Sequence, residues 1–353
     1  MSVPTSPAGP IHRIASIDLI RGGVMILMAI DHVRVYSGLR PGGPTPGIFF
    51  TRFVTHFCAP AFVFLAGTSA FFHGRRHAGL PRFLLIRGAW LVLLELTLLR
   101  AAWTFNLDFA HYEMAGVIWA IGWCMILMAG LVKLPIAAIG ALGVAVIAGH
   151  NLIDPHLGEL IPALGESRLA GLRKILYLEF FAGPIRFGSD GPTLLVLYSI
   201  VPWIGVMAAG FAFGRILMLE PARRNRIGLG LGAIVLFVLR GFNLYGDPRP
   251  WGAAAEGSGG SPPMPAWAAF FYVLHIPLIH ALALLVSRIR LGEVSPWLFA
   301  NHPMGNPPPP EGYTWSLPLL YLVWAVAIVM LYYACRWFAG IKARRKDWWL
   351  GYL

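Results

Sequence analysis

Charged residues are scarce in this sequence: Asp, Glu, Lys and Arg make up 12% of its 353 residues, whereas 57% are hydrophobic. A soluble domain carries about a quarter of its residues as charges, so the composition argues against an ordinary soluble fold. Cysteine is scarce too, and Cys58, Cys124 and Cys335 lie in apolar segments without the spacing of metal ligands. The sequence has no Walker A, dinucleotide-binding glycine or His-Glu-x-x-His pattern. We therefore predict no metal cofactor.

The sequence does contain long apolar runs, which recur along its whole length. Runs near 20 residues match about 30 Å of bilayer hydrocarbon, and an open sheet cannot satisfy its backbone hydrogen bonds in lipid. We therefore predict an all-α fold, a polytopic transmembrane helical bundle with about nine spanning segments, in a single domain over residues 1–353. The runs are roughly 14–36, 50–72, 83–103, 115–132, 135–148, 192–216, 227–244, 266–286 and 317–338.

Basic residues produce a net charge of +12 and cluster in short connections after the second, sixth and ninth runs. The positive-inside rule places these groups and the N-terminus in the cytoplasm, which predicts a multi-pass protein of the inner (plasma) membrane and no nucleic-acid partner. Nine crossings would leave the basic group Lys342–Lys346 outside. The rule therefore requires a further crossing, or a re-entrant segment, between Arg240 and Trp315, and the C-terminus is then cytoplasmic as well.

The first apolar run carries ionisable residues at both ends, Asp18 and Arg21 at one end and Asp31 and His32 at the other. Arg21 and His32 share one stripe of a helix with 3.6 residues per turn. Ionisable groups in a spanning helix are costly and suggest a functional face. Two structural readings compete: Asp18 and Arg21 neutralise each other at the interface, and His32 is only a hydrogen bonder.

The second run carries Arg52 and His56 one turn apart, and Gly67 permits close approach of a neighbouring helix. An antiparallel hairpin of the first two helices would bring His32, His56, Asp31 and Arg52 together in its outward half. A histidine near its ordinary pKa suits general base catalysis, and a carboxylate orients it. Either His32 or His56 is then the base.

Several motifs together resemble one family. They are Ser-Ile-Asp-Leu-Ile-Arg-Gly at 16–22, Asp-His-Val-Arg at 31–34, Phe-Cys-Ala-Pro-Ala-Phe-Val-Phe-Leu-Ala-Gly at 57–67, Phe-Asn-Leu-Tyr-Gly-Asp-Pro-Arg-Pro-Trp at 242–251, Phe-Phe-Tyr-Val-Leu-His-Ile-Pro-Leu-Ile-His at 270–280 and the tail 342–349. The chain resembles the bacterial branch of the heparan-α-glucosaminide N-acetyltransferase catalytic-domain family, within the transmembrane acyltransferases.

This resemblance implies an acyltransferase that passes an acetyl group from cytoplasmic acetyl-CoA to a sugar or glycan on the far side of the bilayer. It implies His32 as the catalytic histidine, since related membrane O-acetyltransferases carry a histidine fourteen residues after the aspartate of the first helix. We assign Asp31 and His56 to the same catalytic group. The predicted substrate-binding residues are Arg52, Asp18, Arg21, His275 and Asn243.

The sequence departs from the family pattern in two places. Residues 37–50 contain no histidine, although the lysosomal enzyme has its catalytic histidine in that loop. Family members also carry an extra helix before the segment that begins near Ala266, and we expect that this helix is missing here, between 252 and 266. That helix is the crossing that the charges require, and it would give ten crossings.

Other interpretations stay open at this point. A transporter or flippase for a small polar or lipid-linked substrate would use the polar stripe as a permeation path, and an inactive relative would retain the fold alone. The acceptor, the choice between N- and O-acetylation and a possible homo-oligomer are not determined. Glu95 lies within the third run and needs a partner there, for which we expect an arginine.

Overall fold

The computed structural model describes residues 15–39, 46–48, 51, 55, 58–149, 168–177, 184–187, 191–233, 266–303 and 307–345. This part of the chain is mostly helical, as the apolar runs predict. The helices are α1 (Ala15–Ser37), α2 (Cys58–Arg76), α3 (Leu80–Leu94), α4 (Arg100–Thr104), α5 (Val117–Leu131), α6 (Ile136–Gly149), α7 (Arg168–Leu176), α8 (Ile200–Ile216), α9 (Pro221–Ala233), α10 (Ala266–Leu291) and α11 (Leu317–Arg344). A π-helical turn, Glu95–Leu99, joins α3 to α4, and a 3₁₀ turn, Pro296–Phe299, follows α10.

Two helices in the described part of the chain are long and apolar enough to cross a membrane, over Phe270–Leu291 in α10 and Leu317–Lys342 in α11. The helices α5, α6 and α8 are apolar but shorter. On α11, Leu322, Val329 and Trp337 are 61%, 56% and 64% exposed. An apolar helix surface of this kind is typical of a helix in lipid.

The helices α1 and α10 lie side by side and run in the same direction. His275 contacts His32, and one turn further along α1 the ring of Tyr36 lies 4.6 Å from that of His280. We call the end of the bundle where α1 begins the lower end and the end where α1 finishes the upper end. The helix α10 therefore starts at the lower end, as expected if one more crossing precedes it.

The helix α11 runs in the opposite direction to α1. Near the upper end the Trp315 N–H donates to the Ser37 carbonyl at 2.9 Å. Lower down, Trp324 Nε1 donates to the Ile26 carbonyl at 2.8 Å. The chain thus returns to the lower end, so the end of α11 and the beginning of α1 lie at the same end of the bundle.

The other long helices alternate in direction. The α3–α4 segment rises to the upper end, where Tyr36 Oη donates to the Trp103 carbonyl; α5 descends, α6 rises, and α2 and α8 descend together. The facing residues that set these directions are Gly88 with Ile126 and Val92 with Gly122 for α3 and α5, Gly140 with Ala212 and Val146 with Gly205 for α6 and α8, and Phe64 with Gly210 and Phe71 with Gly214 for α2 and α8.

These directions bear on the predicted extra crossing. The helix α8 finishes at the lower end and α10 starts there, so the two ends of the intervening chain lie at the same end of the bundle. The described part of that chain is α9, which starts at the lower end and has no buried residue; the segment 252–266 lies almost entirely outside the described residues.

The basic groups that follow the second, sixth and ninth apolar runs all lie at the lower end of the bundle, as the charge pattern predicts. They sit where α2, α8 and α11 finish and where α3 and α9 begin. The described members are Arg75, Arg76, Arg82, Arg215, Arg223, Arg224, Arg226, Lys342, Arg344 and Arg345.

A small sheet corrects the expectation of a purely helical chain. Its strands are β1 (Tyr112–Ala115), β2 (Ile185–Arg186) and β3 (Thr193–Val196), in the order β1-β3-β2. The strands β1 and β3 are parallel, and β2 is antiparallel to β3. The sixth apolar run is therefore a strand followed by the helix α8. The hydrophobicity of this run alone does not distinguish the strand from the helix, because both contain buried residues.

The helices α2 and α8 pack backbone against backbone. A Cβ added at Gly67 would lie 2.0 Å from the Met207 carbonyl oxygen, and one at Gly210 would lie 1.9 Å from the Phe64 oxygen. Thr68 Oγ1 donates to the Gly210 carbonyl at 2.9 Å across this contact. Small residues at helix contacts are typical of membrane bundles, and the predicted role of Gly67 in close approach is confirmed.

Candidate functional site

Two histidines from distant parts of the sequence meet inside the bundle. His32 Nδ1 of α1 lies 2.5 Å from His275 Nε2 of α10, and the two rings meet edge to edge, with centroids 4.8 Å apart and planes inclined by 23°. The two side chains are 7% and 0% exposed. The parallel course of α1 and α10 brings these two positions to the same level.

The hydrogen bonds of His275 assign the tautomers of both rings. His275 Nδ1 lies 2.7 Å from the Tyr272 carbonyl and 3.1 Å from the Phe271 carbonyl, and a carbonyl only accepts, so Nδ1 carries the proton. In the neutral ring Nε2 of His275 is then an acceptor, and His32 Nδ1–H donates to it. This leaves the lone pair of His32 on Nε2, to which no described residue forms a hydrogen bond.

Aromatic rings enclose the histidine pair. The Trp103 ring lies edge-on to His32 with centroids 4.9 Å apart, and the Tyr272 ring lies 6.3 Å from His32 and 5.0 Å from His275. Tyr36, one turn above His32, stacks on Trp103 at 5.8 Å. These rings exclude water from the pair, and exclusion of water strengthens the hydrogen bond between the two imidazoles.

Asp31 occupies a different position from the one expected of a carboxylate that orients His32. Arg34 Nε donates to Asp31 Oδ1 at 2.8 Å. The nitrogen of His32 that a carboxylate would bind is bonded to His275 instead. His275, both of whose ring nitrogens form hydrogen bonds, therefore orients His32. Asp31 forms its ion pair with Arg34 next to this histidine pair.

Arg21 lies near the lower end of α1, eleven residues before His32 and so about 16 Å away along the helix axis. Its Nη2 donates to Ser69 Oγ of α2, and the residue is 9% exposed. This contact and the Cys58–Val24 contact at 3.5 Å tie α1 to α2, as the predicted hairpin requires.

Four predicted site residues receive no structural placement. His56, Arg52 and Asn243 lie outside the described residues, and for Asp18 only the helical backbone is described. The convergence of His32 with His56 and Arg52 and the Asp18–Arg21 pair therefore stay predictions. Of the predicted set, the structure brings together His32 and His275.

Among the described residues, Glu95 pairs with backbone N–H groups and not with the arginine that was expected. Its carboxylate accepts hydrogen bonds from the backbone N–H groups of Gly116, Ile118 and Trp119, and it is 1% exposed. A carboxylate at this position satisfies the unpaired N–H groups at the start of α5 and interacts favourably with the helix dipole. Glu95 opens the π-helical turn, which aims its side chain at α5.

The loops at the upper end form a polar cluster that sequence reasoning did not resolve. Asp108 accepts hydrogen bonds from His111 at 2.6 Å and from Asn301 at 3.1 Å, and the bond from His111 is the main reason that the pKa of Asp108 is lowered. His302 stacks on Trp297 at 3.9 Å, and burial lowers the pKa of His302 to about 4. His302 is therefore neutral near pH 7.

The described residues contain no group of three or more His, Cys, Asp or Glu side chains placed to hold a metal ion. The chemistry available at the site, as far as the described residues show, is that of a histidine pair in an aromatic enclosure. A buried imidazole that is held at Nδ1 by a second imidazole, and whose Nε2 has no hydrogen-bond partner among the described residues, can take a proton from an acidic group of a substrate.

A family model described as heparan-alpha-glucosaminide N-acetyltransferase, catalytic, matches residues 13–238, almost two thirds of the chain. The chain belongs to this family. The match includes His32 and α1 to α9 but ends before α10 and His275. Comparisons with curated proteins and with solved structures gave no match.

Membership of this family and the apolar helices α10 and α11 both indicate a membrane protein. The family consists of membrane acetyltransferases, so the transferase class expected from the motifs is supported at this level.

Proposed function

We propose that this protein is a polytopic membrane acetyltransferase of one domain over residues 1–353. It takes an acetyl group from acetyl-CoA at the lower, cytoplasmic end and passes it to a sugar amine or hydroxyl reached from the upper end. The observation that carries the proposal is the buried His32–His275 pair at 2.5 Å, inside a chain of this family.

In the proposed reaction His32 is the general base. Nε2 of His32 takes the proton of the acceptor as the acceptor oxygen or nitrogen bonds to the acetyl carbon. The carbon–sulfur bond breaks, and the proton passes from His32 to the departing CoA sulfur. His275 is a positioning residue: it accepts the Nδ1 hydrogen of His32, fixes the tautomer and stabilises the imidazolium that forms.

The donor side of the proposal rests on charge. The basic groups at the finishing ends of α2, α8 and α11 all lie at the lower end, where the positive-inside rule places the cytoplasm of a bacterial inner membrane. Phosphate groups of acetyl-CoA are attracted to such groups. In the same proposal Arg21, held by Ser69 on the lower half of α1, lies on the donor side of the base.

The acceptor side rests on the position of the histidine pair. The pair lies below Tyr36, one turn from the upper end of α1, beneath the loops that carry Asp108 and His302. We propose that His56 and Arg52 approach the acceptor from the second apolar run, with Asn243 as a further contact. In this proposal Asp31, which forms an ion pair with Arg34, keeps a role as a charged neighbour of His32.

The test uses membranes that contain the protein, acetyl-labelled CoA and glucosamine as the acceptor probe. We expect His32→Ala to lower labelled product by about 10²- to 10⁴-fold, the usual contribution of a general base. His111→Ala is the matched control, since His111 has a 72% exposed side chain at the upper end and should transfer normally. Undiminished transfer by His32→Ala would overturn the role of His32, and movement of the probe without use of acetyl-CoA would indicate a transporter.

A further inference from the structure

Two further buried histidines lie above His32, on the side of the upper end. The ring of His280 in α10 lies next to that of Tyr36 with centroids 4.6 Å apart, and His302 meets the same ring edge-on at 5.7 Å. We call His280 and His302 the upper histidines; they are 0% and 2% exposed. Tyr36 also stacks on Trp103, which contacts His32. A continuous series of ring contacts therefore joins the upper histidines to the proposed base.

The upper histidines have unused hydrogen-bonding capacity. His280 Nδ1 lies 3.2 Å from the Ala102 carbonyl, so Nδ1 carries the proton and Nε2 of the neutral ring is an acceptor. Nε2 of His280 and both ring nitrogens of His302 are buried and form no hydrogen bond of ordinary length and angle among the described residues. Because burial lowers its pKa, His302 is neutral near pH 7 and supplies one donor and one acceptor.

Aromatic rings cover the upper histidines on their other sides. Phe105 stacks on His280 with centroids 3.8 Å apart, and Trp297 stacks on His302 at 3.9 Å. Buried polar atoms are almost always paired, and aromatic walls with a few placed polar atoms are typical of a small-molecule site. A hydroxyl group suits the nitrogens of the upper histidines, because it both donates and accepts hydrogen bonds.

The loops at the upper end close this group of residues off. Phe105, at the end of α4, has a φ of 46°, a left-handed conformation that is unfavourable for a bulky residue and is often found at ligand sites. Arg100 donates to the carbonyl of Asn106 at 2.7 Å, and Asn106 Nδ2 donates to the Phe299 carbonyl at 2.7 Å. These bonds join the loop after Phe105 to the loop that carries His302. A molecule from the upper end reaches the upper histidines only when these loops move.

We propose that the upper histidines bind hydroxyl groups of the acceptor sugar during the acetyl transfer proposed above. The proposal rests on that function and names the part of the acceptor that is recognised. Tyr36 is one helical turn, about 5.4 Å, above His32, a rise similar to the width of one sugar ring. An acceptor whose amine reaches His32 Nε2 therefore has other hydroxyl groups at the level of the upper histidines. One hydroxyl donates to His280 Nε2, and a second one bonds to His302.

The first part of the test compares acceptors on the wild type. Membranes with the protein and acetyl-labelled CoA receive glucosamine or its 3-deoxy, 4-deoxy or 6-deoxy analogue. We expect at least one analogue to have a kcat/KM about 2- to 12-fold below that of glucosamine, the range of one neutral hydrogen bond. A wild type that uses all three analogues as well as glucosamine overturns the proposal, whatever the variants do.

The second part uses His280→Phe and His302→Phe, which keep a stacked ring and remove its nitrogens. Each should raise the KM of glucosamine about 2- to 12-fold and leave the KM of acetyl-CoA unchanged. Each should also lose the preference for glucosamine over one analogue, because the same hydrogen bond is not lost twice. His73→Phe is the matched control, since His73 stacks on Phe83 at 3.8 Å at the lower end and should keep the wild-type preference. Thermal unfolding of every variant separates loss of binding from loss of fold.

The outcomes distinguish this proposal from the one on which it rests. Folded variants that keep the wild-type preference among the analogues overturn the proposal, because the upper histidines then bind only water or pack without a ligand. The acetyl transfer itself still stands in that case if His32→Ala is inactive. A wild type that transfers no acetyl group from acetyl-CoA to glucosamine overturns both.

Discussion

If His275 acts only through His32, the two positions must be strongly non-additive. The contact is one buried hydrogen bond of 2.5 Å, and it matters most when His32 carries the positive charge of the imidazolium. A hydrogen bond to a charged group is worth about 1.5–3 kcal/mol. At about 1.4 kcal/mol per tenfold change in rate, His275→Ala should lower kcat roughly 10- to 150-fold.

The companion variants complete a double-mutant cycle. His32→Ala should lower kcat about 10²- to 10⁴-fold. The double variant should match His32→Ala within about threefold, because a positioning residue has no effect once the base is absent. The KM values should change little, since neither ring nitrogen of His275 is available to a substrate.

The measurement is the initial rate of labelled acetyl transfer at several acceptor concentrations, for wild type, both single variants and the double variant. Thermal unfolding of each variant separates loss of function from loss of fold. A double variant whose rate loss equals the product of the two single losses would refute the relay, because independent contributions multiply. A His275→Ala variant with unchanged kcat and raised KM would instead favour the substrate contact predicted from the sequence.

Two further predictions concern stability. Gly67→Ala should destabilise the protein by about 1–3 kcal/mol through overpacking, because the new Cβ meets the Met207 oxygen at 2.0 Å; Gly23→Ala, with nothing within 4 Å, is the control and should be neutral or stabilising in the same unfolding assay. The pKa of His302 is about 4 in the folded protein and about 6.5 in the unfolded chain. The burial of its neutral form therefore contributes fully to the free energy of unfolding above pH 6.5, and this contribution is lost as the pH falls towards 4. Thermal unfolding across that window should be less pH-dependent in His302→Phe, which keeps the stacking on Trp297; an unchanged slope would contradict the assignment.

Several features of the site were predictable from the sequence. The sequence placed His32 on an apolar helix, fourteen residues after Asp18 and towards one end of the bundle. The close approach at Gly67 also followed from residue size.

The partners of these residues were not predictable. His275 is 243 positions away from His32, and the periodicity of a helix indicates which residues share its face but not which other helix lies against that face. The partners of Glu95 were not predictable for the same reason. In the described part of the chain they are backbone N–H groups at the start of α5 and not an arginine, and no residue pattern records them.

The sequence by itself determined the helical class and the placement of basic groups at one end, because hydrophobicity, charge and helical period are local properties. The candidate base followed from the resemblance of the motifs to the family. The tertiary structure decided the direction of α10, the pairing of His32 with His275 and the contact of Glu95 with the start of α5. Those features depend on which helices pack together, and packing among apolar helices is set by the fit of small and large side chains over many contacts.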